Sequence, residues 1–317
     1  MDSTPFFLDC DTGIDDSLAL AYLVATPGVD LVGVGAVSGN LSAAGGARNT
    51  SDLLHLLGRP EVPVAVGAHD PLSHPFAGGA PHVHGRNGIG DVQLATSPTP
   101  LRGESAAEML VRLAREHEGR LRVLAIGPFT NLALALRLEP ELPRLVRDVT
   151  VMGGAALAPG NVSPVAEANV ANDPEAAHAV FSAGWDLTMV GLDVTMQHRF
   201  EERHREALLA AGTPATTALA RMLEFYFAFY TPIFGRPSAA LHDPLAVAVA
   251  AGGATPTSAP RVPVVVDHTD GPGRGQTIAD LRALYTGFAE ERRGGARVVL
   301  SIAEDFGDVL LDRLLTL

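Results

Sequence analysis

A chain of 317 residues, 47% of them hydrophobic, can bury a core as one large α/β domain or two smaller ones. A formal charge of -13 and a pI near 5.2, with no basic stripe, exclude nucleic acid as the main partner. All 23 basic residues are arginine and there is one cysteine, which excludes a Schiff-base or P-loop lysine, an internal disulfide and a cysteine-ligated metal centre.

At the N-terminus no basic segment precedes an apolar stretch, and no apolar run anywhere approaches membrane length. The expectation is a soluble cytoplasmic protein with no membrane partner. The run from Phe6 reads as a buried strand and the Ala/Leu-rich run after Ser17 as a helix. Four carboxylates, Asp9, Asp11, Asp15 and Asp16, fall within the eight residues at that junction. Side chains alternate along a strand, so Asp9 and Asp11 share a face and Cys10 points away, a small buried hydrophobe or else a nucleophile that lacks a sequence-adjacent base. Gly13 permits a tight turn, and the helix start favours the negative charge of Asp15 and Asp16. Helix capping accounts for one or two of these acids. The whole cluster calls for a hard divalent cation to offset its repulsion.

Residues 29–37 read as a second strand ending at Ser38-Gly39-Asn40, and a helix follows to about Leu57. Residues 63–67 form a third strand. Residues 68–100 are Gly-, Pro- and His-rich with little periodicity, a length of loop that is usually functional or mobile. An amphipathic helix over 104–118 leads to a strand at 121–126, the turn Gly127-Pro128-Phe129-Thr130-Asn131 and a helix over 132–138. A strand at 146–152 stops at Gly153-Gly154, and 155–172 is a polar loop. Asp173-Pro174-Glu175 opens a helix with Asp at the N-cap and Pro at its first position. A strand at 187–192, a helical region over about 201–229, the helix 245–251 opened by His242-Asp243-Pro244, strands at 262–266, near 274–277 and at 297–302, and a last helix over about 304–315 complete the chain. Strands and helices alternate, which predicts an α/β fold: a single domain over 1–317 with an open, mostly parallel sheet flanked by helices.

In such a sheet the C-terminal ends of the strands converge on one crevice. That brings together the Asp cluster, Asn40, the Thr130 turn and Met152. The loop carrying Asn161, Glu167 and Asn169 joins them with groups suited to a hydroxyl-rich ligand, as does His242-Asp243. Taken singly, each Asn is an ordinary turn residue, Asp243 an ordinary cap and His242 a capping or core histidine.

Together these motifs resemble the inosine–uridine-preferring nucleoside hydrolase family. The family's Asp-x-Asp-x-Gly-x-Asp-Asp string is matched by Asp9, Asp11, Gly13, Asp15 and Asp16, with Thr12 where many members have Pro. Further matches are residues 38–40, 127–131, 152–154, Asn161, 167–169, 173–177 and 242–244, in family order along nearly the whole chain. The resemblance implies the nucleoside hydrolase fold and hydrolysis of the N-glycosidic bond of a ribonucleoside to ribose and free base, in nucleoside salvage or catabolism. It implies Ca²⁺ held by Asp11, Asp16, the Thr130 carbonyl and Asp243, with the ribose 2′- and 3′-hydroxyls and the attacking water completing the shell. Asp11 is the implied general base and His242 the candidate acid for the leaving base. Asp15, Asn40 and Asn169 resemble groups that bind the 2′/3′ side of ribose, and Asn161 and Glu167 those that hold its 5′ end. The Met152 backbone is placed near the sugar, and His82, in Pro81-His82-Val83-His84-Gly85, resembles a base-side histidine. For His82 and His84 the plainer reading is a pair of surface loop residues. Tyr226, Phe227, Tyr230 and Phe234 are candidates to stack near the base, and their helical spacing suits core packing equally. Asp9 is left as a support behind the other acids. Family members are usually dimers or tetramers, so a homo-oligomer is expected.

Three other readings are weighed. Asp9-x-Asp11 resembles the nucleophile motif of haloacid-dehalogenase-type phosphatases, which wants Thr or Val where Gly13 stands and a downstream lysine. An EF-hand fails because Gly13 is at loop position five and Leu20 at twelve. A non-catalytic, calcium-dependent nucleoside- or ribose-binding protein would share Asp16 and Asp243; the presence of both Asp11 and His242 favours catalysis. Purine or pyrimidine preference stays open.

Overall fold

The computed structural model describes residues 3–288 and 295–317. Its centre is an eight-stranded sheet. In chain order the strands are β1 (Thr4–Cys10), β2 (Val29–Ala36), β3 (Val64–Val66), β4 (Arg122–Ala125), β5 (Asp148–Met152), β6 (Leu187–Val190), β7 (Arg261–Val262) and β8 (Ala296–Val299). They lie side by side in the order β7-β8-β6-β5-β4-β1-β2-β3. All pairings are parallel except β7 with β8.

β1 is bonded on both edges, to β2 and β4, and every residue from Pro5 to Cys10 is buried. A strand covered on both faces needs a continuous apolar run rather than an alternating one, and Phe6-Phe7-Leu8 supplies it. Phe6, Leu8 and Cys10 join one apolar layer with Leu18, Leu219, Leu245 and Phe306; Phe7 joins the other with Met109, Leu132 and Val180. The helices Ile14–Ala25, Pro214–Phe234, Asp243–Ala251 and Phe306–Leu314 cover the first face, and Ala106–His117, Thr130–Leu138 and Pro174–Ser182 the second. The expected open, mostly parallel sheet between helices is what is seen.

The differences are local and have physical causes. The helical stretch over 201–229 is two helices, Glu202–Ala211 and Pro214–Phe234. Gly212 takes a left-handed φ of +70°, Thr213 caps the second helix through Thr216 N–H, and Pro214 starts it. The strand over 262–266 divides at Pro263: residues 261–262 stay on the main sheet, while Val264–Val266 pairs with Thr277–Ala279 in a separate hairpin. The two long loops carry short helices, Pro81–His84 and Ala168–Asn172. A small hairpin, Arg199–Glu201 with Ser238–Ala240, leads straight into Leu241-His242-Asp243.

Candidate active site

The strand ends do meet. A cavity of about 250 Å³ opens there, lined among others by Asp11, Asp15, Asn40, Met152, Glu167, Asn169 and Asp243. Asp11 follows β1, and its carboxylate is wedged between two turns. A Cβ on Gly39 would lie 2.1 Å from Asp11 Oδ2, and one on Gly127 would lie 2.9 Å from Oδ1. The glycines after β2 and beside β4 are therefore the space the carboxylate occupies. Asn40 N–H donates to Asp11 Oδ2 at 2.6 Å.

Asp16 lies in the first turn of the Ile14–Ala25 helix and takes two backbone N–H groups, Asp11 to Oδ1 at 3.1 Å and Gly13 to Oδ2 at 2.8 Å. It caps its own helix and fixes the turn that carries Asp11. Asp9 is fully buried behind them. Asn131 Nδ2 donates to its Oδ1 at 2.8 Å, and Asn131 Oδ1 in turn accepts Ala68 N–H. Asp9 thus ties β1 to the 127–131 turn and to the loop after β3.

Asp15, Asp16 and Asp243, all buried, each offer an oxygen such that the three lie within 4.8 Å of one another. Asp11 lines the same cavity outside that set. Thr130 is buried at the start of its helix with its hydroxyl donating to Asp173 at 2.7 Å. Three buried hard oxygen donors this close, with Asp11 beside them, fit a divalent cation. Burial, reinforced by their neighbours' charge, raises the carboxyl pKa of Asp16 to about 7 and those of Asp11 and Asp243 well above the usual range. Burial alone raises Asp9 to about 8. Among the described residues no arginine lines the cavity to offset that charge.

The ribose candidates are equally anchored. Glu167 is buried, caps the Ala168–Asn172 helix and accepts the N–H groups of Gly154, Asn169 and Val170. Asn169 Nδ2 donates to the carbonyls of Ile126 and Met152, the ends of two strands, which leaves its oxygen to address a ligand. Asn161, exposed at the mouth, holds Ala168 N–H through Oδ1.

His242 has both ring nitrogens bonded: Nδ1 to Thr195 Oγ1 and Nε2 to Tyr230 Oη, each at 2.8 Å. Burial lowers its pKa, against the raising pull of the Asp15 carboxylate. Of the two loop histidines, His82 is exposed at the mouth, edge-on to Phe229, whereas His84 is buried in the wall against the Tyr226 ring. His84 Nδ1 accepts Ile14 N–H at 3.1 Å and so pins the loop to the helix bearing Asp15 and Asp16. Tyr226 donates to Asp15 Oδ2 at 3.0 Å. Both tyrosines pack in the core and also present their hydroxyls to the site.

A sequence profile of the family described as "Inosine-uridine preferring nucleoside hydrolase" matches residues 6–306. The chain belongs to that family. Uridine nucleosidase 1 of Arabidopsis thaliana is 37% identical over 75% of this chain and 71% of its own length. The inosine-uridine preferring nucleoside hydrolase of Leishmania major is 36% identical over 87% of each. The solved purine-preferring ribonucleoside hydrolase from Gardnerella vaginalis superposes with a TM-score of 0.88 at 33% identity, covering 98% of this chain and 97% of that one. Membership in a hydrolase family carries the catalytic reading and not the purely ligand-binding one. Among the described residues no helix is long and apolar enough to cross a membrane.

Sequence reasoning did not find two groups beside this nucleoside hydrolase site, and its plainer reading put His84 on the surface. Thr195, on the short helix Leu192–Thr195 after β6, orients His242. Asp193 on the same helix accepts the N–H groups of Ala156, Leu157 and Ala158 and so holds the start of the loop that carries Asn161. His84 takes the buried place. The signal for the first two was available, since β6 also ends at the crevice.

Proposed function

We propose that this protein is a Ca²⁺-dependent ribonucleoside N-glycosidase, a single-domain cytoplasmic enzyme working as a homodimer or homotetramer. The observation that carries the reading is the gathering of Asp11, Asp15 and Asp243 at one cavity, with Asp16 buried against Asp15 and Asp243, beside the Asn169 amide whose donor is already committed to strand ends. Asp16, Asp243, Asp11 and the Thr130 carbonyl would hold the cation, a set of hard oxygen donors that suits Ca²⁺. When bound, a divalent cation supplies Lewis-acid polarisation of water and of sugar hydroxyls.

The chain's own groups do the rest. Asp11, locked by Asn40 N–H and the two glycine turns, takes a proton from the attacking water as general base. Asp15, Asn40 and Asn169 engage the 2′ and 3′ hydroxyls; Asn161 and Glu167 engage the 5′ end, with the Met152 backbone beneath the sugar. As the glycosidic bond breaks, the ribosyl carbon becomes cationic, and the surrounding carboxylates stabilise that charge more than the neutral ground state. His242, fixed by Thr195 and Tyr230, would act in its protonated form as the acid for the departing base, passing the proton through the Tyr230 hydroxyl, with His82 at the mouth on the base side.

The test is a kcat/KM panel over inosine, adenosine, guanosine, uridine and cytidine with Ca²⁺, measuring free base and ribose. Turnover abolished in Asp11→Ala and by chelation is expected. Tight nucleoside binding without turnover in the wild type would end the enzymatic reading. A 2′-deoxynucleoside is expected to react poorly, because the cation and Asp15 both lose a ligand.

A further inference from the structure

Asp15 is held asymmetrically. Its Oδ2 accepts the Tyr226 hydroxyl at 3.0 Å, while its Oδ1 is buried with no hydrogen-bond partner. An orphaned carboxylate oxygen is costly unless something later satisfies it. The nearest candidate, His84 Nδ1, lies 3.9 Å away. It has no proton to give, because its lone pair already accepts Ile14 N–H. The close approach of imidazole and carboxylate is thus not a hydrogen bond, and Oδ1 stays buried and without a donor in the wall of the cavity that Asp15 lines.

Tyr226 does not depend on Asp15 for its own position. It lies inside the 21-residue helix Pro214–Phe234 and is 2% exposed. Its ring meets Tyr230 edge-on at 5.0 Å and His84 at 5.4 Å. Core packing therefore fixes the hydroxyl, and the hydroxyl fixes the carboxylate against the repulsion of Asp11, Asp16 and Asp243. A phenol is also the right donor chemically. An arginine would set an opposing charge beside the carboxylate, whereas a phenol orients it through one hydrogen bond without one.

We infer that Tyr226 is a positioning residue: by occupying one oxygen of Asp15 it presents the other to the sugar's 2′-hydroxyl, and it thereby sets discrimination between ribo- and 2′-deoxyribonucleosides. This rests on the proposal that Asp15 meets the sugar. A vicinal hydroxyl on the ribose is the ligand class that one anchored, charged acceptor suits, because it donates once and along one direction.

The experiment compares kcat/KM for a ribonucleoside and its 2′-deoxy counterpart in wild type and Tyr226→Phe, with the metal supplied at saturation. Phe keeps the ring's volume, and an unchanged melting temperature within a few degrees checks the fold. The ratio of the two kcat/KM values is expected to fall about tenfold, the order of one hydrogen bond to a charged group, with the deoxy substrate almost unaffected. In an Asp15→Asn background the same Tyr226 change should leave the ratio unmoved. If the wild type shows no turnover, the parent reading fails. If the wild type turns over and Tyr226→Phe leaves the ratio unchanged, this inference alone fails. An equal loss on both substrates, with weakened Ca²⁺ affinity, would show that the free oxygen serves the cation instead and would equally overturn it.

Discussion

The floor and the rim of the cavity are built in opposite ways. On the floor, Asp11, Asp16, Glu167 and Asn169 are each held by main-chain groups at the ends of strands or the first turns of helices. At the rim, Ala80, His82, Val83, Val162, Phe229 and Ile233 come from two loops, a four-residue helix and the last two turns of a long helix. Val162 and Ile233 remain 58% and 55% exposed. The floor cannot change without moving the sheet. The rim can change side chain by side chain. On the proposed assignment, a scaffold divided in this way would fix the sugar and leave the base adjustable, which accords with relatives whose names specify uridine, inosine-uridine or purine preference on one common architecture.

The largest effect is expected on the floor. Asp11→Ala should lower kcat by about three to four orders of magnitude, the upper range for removing a general base, with the melting temperature kept or raised because a buried repulsive charge is gone. Steady-state rates and thermal unfolding check both halves. Next comes Gly39→Ala. Its Cβ would fall 2.1 Å from Asp11 Oδ2, so the carboxylate or the turn must shift. A displacement near 1 Å at a reacting group costs on the order of 10²-fold. Normal kcat in this variant would show that the Asp11 position seen here is not the working one.

Floor and rim also differ in how far the sequence revealed them. β1 and its acids were legible because a buried apolar run, a glycine turn and an Ala/Leu run mark strand, turn and helix in order. Asp173-Pro174 was legible because an N-cap aspartate before proline has one usual meaning, and Asp173 Oδ1 does accept Ala176 N–H. The rim was not. In His82-Val83-His84 either histidine can face inward until the turn of Pro81–His84 chooses, and it buries His84. Tyr226 and Tyr230 have the helical spacing of core residues and are core residues; only the tertiary fold shows that their hydroxyls reach Asp15 and His242. Thr195 and Asp193 lie on a four-residue helix too short to carry a periodic signal.

A smaller effect separates charge from shape on the floor. Burial raises the Glu167 carboxyl from 4.5 to about 6, against the lowering pull of three backbone N–H groups. A folded-state pKa above the unfolded value gives stability that is complete below pH 4.5 and is lost as pH rises through 6, amounting to about 2 kcal/mol. Glu167→Gln cannot ionise. Its melting temperature should lie below that of the wild type at pH 4.5, because an amide serves those N–H groups less well, and the gap should narrow by pH 7. Parallel melting curves across that window would mean Glu167 ionises without cost and that the floor is less dry than its burial implies.

The smallest effect belongs to the rim and tests the division most directly. Ile233 lines the mouth, is more than half exposed, and occupies the turn after Pro232, whose missing N–H already loosens the helix end. Ile233→Ala should shift the ratio of kcat/KM between a purine and a pyrimidine ribonucleoside by about tenfold or less, the scale on which apolar pocket contacts discriminate. Thermal stability should stay within about 0.5 kcal/mol, since little buried area is lost. Preference for ribose over 2-deoxyribose should not move. If it did move, sugar and base recognition would be coupled through the Tyr226–Tyr230 face of the same helix, and floor and rim would be one mechanical unit with the helix as its lever.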